Sequence, residues 1–96
     1  MSIITHFFYE RLAELLIEQI DGREFYSDII NFDLSQVECQ FSATLMIYYT
    51  NHRYPEGNVM QISNIVPVWW EFHTTTAEGE VLNDFDFELL KQIVCN

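Results

Sequence analysis

Positive charge is the scarcest thing in this sequence. Three Arg and one Lys stand against fifteen Asp and Glu, a formal net charge of −11 over 96 residues. Phosphate contacts need clustered Lys and Arg, so direct nucleic-acid binding is excluded as a reading, and so is docking on an anionic membrane. Glycine and proline are also few, three and two. The glycines never fall at GxGxxG or GxxxxGK spacing, which leaves no phosphate-cradling loop. The two cysteines, Cys39 and Cys95, form no CxxC and no Cys/His set at zinc spacing, so neither a disulfide framework nor a metal site is expected. Two scattered thiols fit a reducing compartment. No apolar run approaches the roughly 20 residues that span a bilayer. Met1 to Glu10 has no Lys or Arg ahead of its apolar residues, and reads as no signal peptide. The expected location is cytoplasmic.

What is present is a core. Hydrophobic residues make up 49% of the chain and aromatics 16%. That is unlike disordered chains, which lack both. A chain of this size buries roughly 60–70% of its unfolded surface, and residues 1–96 are expected to form one domain. The charge is uneven. Residues 1–40 carry −6, residues 41–70 carry 0 and residues 71–96 carry −5. The plain meaning of the acidic ends is solubility. The sharper one is a surface that attracts a basic protein.

Periodicity gives the elements. Residues 3–20 read as a helix, with Gly22 after Asp21 as its stop. At 100° per residue Glu10, Arg11, Glu14 and Glu18 form one narrow stripe. Ile4, Phe8, Leu12, Leu15, Leu16, Ile17 and Ile20 spread over an arc wider than one sheet face needs. Glu24 to Asp33 reads as a strand in which Phe25 and Ile29 break the alternation, and Leu34-Ser35-Gln36 as a hairpin turn. From Val37 to Tyr49 every odd position is apolar, the clearest strand signal in the chain. Asn51 to Asn58 reads as a loop. Val59 to Thr74 reads as a strand with Met60, Ile62, Val66, Val68, Trp70 and Phe72 on one parity, Asn64 as the exception, and an edge position or bulge at Pro67. An antiparallel pairing over that loop places Ile47 opposite Ile62 and Cys39 opposite Trp70. A turn at Glu78-Gly79, a short strand at Glu80–Leu82 and a final helix to Val94 complete the chain. Asn83 or Asp84 is the expected cap, with a Leu82–Phe87 hydrophobic staple. The fold class is α+β: an N-terminal helix, a three- to four-stranded antiparallel β-meander and a C-terminal helix, both helices on one sheet face.

Chemistry-bearing constellations are weak. There is no GxSxG and no HExxH, and His6, His52 and His73 lie on different elements. In the expected register Glu38 faces Glu71, beside His73. Paired carboxylates repel, hold a cation or carry glycosidic chemistry, whereas side chains splayed into water do none of these. No residue is assigned a catalytic, cofactor-binding or metal-binding role, and no cofactor is implied.

The sheet face away from the helices is more informative. Met46, Tyr48, Ile65 and Trp69 are expected there, with Arg53 and Tyr54 in the loop at one end. Tyr, Trp and Arg are the residue types that most often carry interface energy, although a first helix or first strand folded over this face would make it a second core layer. The leading functional reading is a non-enzymatic protein–protein interaction or accessory module. Its partner would be itself, as a homodimer, or another protein. It would use the outer face, an edge strand or the surplus apolar side of the first helix. A decoy for a nucleic-acid-binding protein is the alternative, since Glu10, Glu14 and Glu18 step about 6 Å apart along a helix. A small-molecule or enzymatic pocket between sheet and helices, lined by Phe8, Phe41, Trp70, Phe72 and Phe85, is the third.

Overall fold

The computed structural model describes residues 4–54 and 57–95, without the side chains of residues 52–54, 58 and 59. The order is α1 (His6–Ile20), β1 (Phe25–Leu34), β2 (Val37–Tyr54), β3 (Gly57–Thr76), β4 (Gly79–Val81) and α2 (Phe87–Val94). The strands form one antiparallel sheet in the order β1-β2-β3-β4. The two helices pack against each other and against one face of that sheet. This is the α+β meander the periodicity predicts.

Helix α1 buries Phe8, Tyr9, Leu12, Ala13, Leu16 and Ile20. It ends where Asp21 and Gly22 both take positive φ, a left-handed step that glycine makes at little cost. The Arg23 guanidinium donates to the carbonyls of Ile20 and Gln19, satisfying acceptors that the helix leaves open. β1 and β2 pair without a break, from Phe25 opposite Met46 to Leu34 opposite Val37. Their inner residues Tyr26, Ile30, Phe32, Cys39, Phe41, Ala43, Leu45 and Ile47 are core, as alternation requires; Asp28, on the same parity opposite Ala43, is the exposed exception.

β3 departs from simple alternation. Two register shifts against β2 leave Val68 and Ser63 as extra residues. Each bulge turns the following side chains to the opposite face. Pro67, which has no N–H to give the ladder, stands next to the first bulge. The inner face of β3 therefore runs Ile62, Ile65, Pro67, Trp70, Phe72, Thr74. Ile47 faces Ile65 and Cys39 faces Thr74, which corrects the expected register. The strands also run farther than expected, to Tyr54 and from Gly57.

Phe85 closes the core. Its ring stacks on Phe72 at 4.3 Å and on Tyr9 at 5.2 Å, and meets Trp70 at 5.3 Å and Phe41 at 5.9 Å. Aromatic pairs of this kind contribute about 0.5–1.5 kcal/mol each beyond area burial. The segment before α2 is held by Asn83. Its amide donates to the Phe72 carbonyl and Thr74 Oγ1, both at 3.1 Å, while its Oδ1 accepts from Phe85 N–H. Asn83 is thus spent on the sheet, and Asp86 caps α2 by accepting from Glu88 N–H at 2.9 Å. Leu82 is 98% exposed, so the expected staple does not form.

Candidate functional site

The sheet has two unlike faces. One is covered by the helices. On the other, the registers stack the outward side chains into rows across the strands. Thr75, Glu38 and Asp33 form the first row. Next come His73, Gln40 and Asn31, then Glu71, Ser42 and Ile29. Trp69, Thr44 and Ser27 follow, then Val66, Met46 and Phe25, and last Asn64 and Tyr48. The face is therefore graded along the strands from carboxylates to aromatic and aliphatic side chains. Polar members of the rows bond sideways to each other: Ser27 Oγ lies 2.9 Å from Thr44 Oγ1, and Gln40 donates to Asn31 Oδ1 at 3.3 Å.

Trp69 is 47% exposed, Tyr48 52% and Met46 38%, and Phe25, Ile29 and Val66 lie open beside them. Val68, pushed out by its bulge, is exposed as well. Seven large apolar side chains, each about half exposed, leave on the order of 600 Å² of apolar surface. Ile65 is not among them. It is 0% exposed, inside the core, because the bulge at Val68 shifts it to the inner face. The side chains of Arg53 and Tyr54 lie outside the described residues. Phe25, Ile29, Val66 and Val68 are the members that sequence reasoning missed, the two valines because simple alternation puts them on the inner parity of β3. For Phe25 and Ile29 the only signal was negative, since they are the residues that spoil the alternation of β1.

The described outer face carries no Lys or Arg. Arg11 pairs with Glu14 on α1 at 3.3 Å, Arg23 is spent on the α1 C-terminus, and Lys91 lies in α2. At the acidic end a cleft of about 490 Å³ opens between Asp33, Glu38, Gln40, His73, Thr75 and Glu80. His73 Nε2 lies 3.1 Å from Glu71 and its Nδ1 3.6 Å from Glu80. The bond to Glu71, followed by the pull of Glu80, raises its pKa from the usual 6.5.

The free edge of β1 is guarded. Ile29 N–H is taken at 2.7 Å by the carboxylate of its neighbour Asp28, a charged side chain placed where a foreign strand would bond. On α1, Phe7 and Ile17 are exposed, but the acids Glu10 and Glu14 stand between them, engaged with His6 at 2.8 Å and with Arg11.

The expected carboxylate pair is not assembled. Glu38 stands opposite Thr75 and Glu71 opposite Ser42. Among the described residues no group of three or more His, Cys, Asp and Glu is placed to hold a metal ion. The space between sheet and helices, expected as a pocket in the third reading, is filled by the Phe85 cluster. Cys39 is a core residue whose burial pushes its thiol up to about 11. Cys95 is half-buried. Burial raises its pKa, against the opposing effects of Lys91 and the Ile65 N–H. No helix among the described residues is long and apolar enough to cross a membrane. No protein-family model matches the chain, and neither a curated protein nor a solved structure shows significant similarity to it.

Proposed function

We propose that this chain is a non-enzymatic protein–protein interaction module that docks through the outer face of its sheet. The observation that carries this reading is the uncovered apolar surface around Trp69, Met46, Tyr48 and Phe25 on a sheet whose other face carries the helices and the core. An antiparallel sheet usually turns polar side chains to water on its open face. Here the open face holds the aromatic and methionine residues that enrich interface centres. The two unpaired thiols support a cytoplasmic setting for the same reading.

The acids support a partner-docking module better than a nucleic-acid decoy. They are spread over α1, the outer face of the sheet, the β3–β4 turn and the segment leading into α2. A decoy needs them along one continuous surface.

The test is position-specific photo-cross-linking in the native cell. A photoreactive residue at position 69 or 48 is expected to give discrete covalent protein adducts, and the same residue at position 14 on α1 none. Adducts equally abundant from all three positions, or from position 14 alone, would remove the outer face from the function.

A further inference from the structure

We infer that the partner surface is itself graded, with an apolar anchor for the Trp69 end of the face and Lys or Arg side chains set about 20 Å further along for the acidic end. This rests on the reading of the outer face as the docking surface, and names what fits it. The spacing comes from the strands. Outward rows on β2 are two residues apart, so the Thr44 row and the Glu38 row are separated by about 20 Å. At the apolar end Trp69, Met46, Val66 and Phe25 offer a water-excluding platform. At the other end Asp33 and Glu38 line the cleft of about 490 Å³, with Glu80 across it held 3.6 Å from His73 Nδ1, and the cleft is wide enough for a lysine or arginine head group.

Charge complementarity selects another protein over a second copy of this chain. The described outer face holds no Lys or Arg, and its His73 is already engaged by Glu71 and Glu80, so a second copy laid against it could offer the acidic rows only more acid or an apolar wall. Two chains of net charge −11 also repel on approach. A basic partner is attracted from a distance and finds its register by the gradient, because its charged end fits only the Asp33–Glu38 end.

Two synthetic helical peptides of about 18 residues, long enough to run some 27 Å along the face, test this. Both carry Trp and Leu at one end. One carries Lys and Arg at the other end, and its twin carries Glu there. Binding to the intact protein is followed by amide chemical shifts. The basic peptide is expected to shift the rows from Val66 to Thr75, and to weaken as salt rises. It should bind at least about tenfold tighter than its twin, the sum of several exposed charge pairs. Trp69→Ala, with an unchanged amide spectrum elsewhere, is expected to weaken it as well. Equal binding of both peptides on this face would overturn the graded partner and leave the docking face standing. Shifts confined to the helices would overturn both. Failure of either peptide to bind, with light scattering showing a dimer lost on Trp69→Ala, would overturn the inference in favour of a second copy. Failure to bind with the chain monomeric would overturn it outright.

Discussion

Tyr26 is the residue at which this core spends stability. It is 1% exposed, and its hydroxyl has no hydrogen-bond partner among the described residues. A buried polar atom left unpaired costs about 1–3 kcal/mol. Tyr26→Phe removes the hydroxyl and keeps the ring, so it is expected to raise stability by about 1 kcal/mol, which a domain of this size shows as roughly 4–8 °C in Tm. A lower midpoint would mean the hydroxyl is bonded in solution. The same residue gives a pH signature. Burial, helped by the nearby Asp28 charge, lifts its pKa to about 12 from 10.0. The unfolded chain therefore loses this proton first. The contribution is intact below pH 10 and is lost as the pH climbs from 10 towards 12. Chemical denaturation repeated across that range should show a fall in stability in the parent that is smaller in Tyr26→Phe.

At the scale of elements, the β1–β2 turn is the weakest local fit between sequence and shape. Ser35 and Gln36 take φ of +53° and +65°, the left-handed pair that a two-residue hairpin turn demands and that Asn-Gly supplies best. Each such residue other than Gly or Asn costs about 1–2 kcal/mol. The double change Ser35→Asn, Gln36→Gly is expected to stabilise the protein by about 1 kcal/mol after the extra freedom of glycine in the unfolded chain is set against it. Equilibrium urea unfolding would show a higher midpoint at an unchanged slope. An unchanged midpoint would mean that the turn relaxes to another geometry. The contrast between β2 and β3 shows where sequence reading stops. β2 alternates without a break because its inner face meets one core, and period two alone located it. β3 carries two bulges, and Pro67 announces only the first. After each one the rule of alternation holds but on the opposite face, so Val66 and Ile65 exchange roles. The cap of α2 was hidden for a different reason. Asn83 has the right chemistry for a cap, but its amide is engaged by the Phe72 carbonyl and Thr74, contacts that only tertiary structure creates. The outer face was half legible. Met46, Tyr48 and Trp69 follow from parity, while Phe25 and Ile29 become meaningful only once no helix is found above them.

The whole molecule is long and narrow, 53 × 23 × 18 Å, because the β2–β3 hairpin outruns the rest of the sheet. β1 ends its pairing at Met46, with one further bond from Ile47 N–H to the Glu24 carbonyl. Beyond Tyr49 and Ile62, which still lean on the core, Thr50 pairs with Gln61 and Asn51 with Met60, all four exposed. A two-stranded ribbon has little stability of its own, so this arm is expected to open without global unfolding. Amide exchange of the dilute protein should be at least about a hundredfold faster at Thr50, Asn51 and Gln61 than at Cys39, Phe41 and Leu45, whose exchange requires the whole core to open. The arm continues the apolar end of the graded face, past Tyr48. A docked partner that covers Tyr48 and Trp69 should therefore slow exchange at Thr50 and Gln61 while leaving Phe41 unchanged. Uniform protection along β2 in the dilute chain would mean that the ribbon is already covered, and would move the docking surface off this end of the sheet.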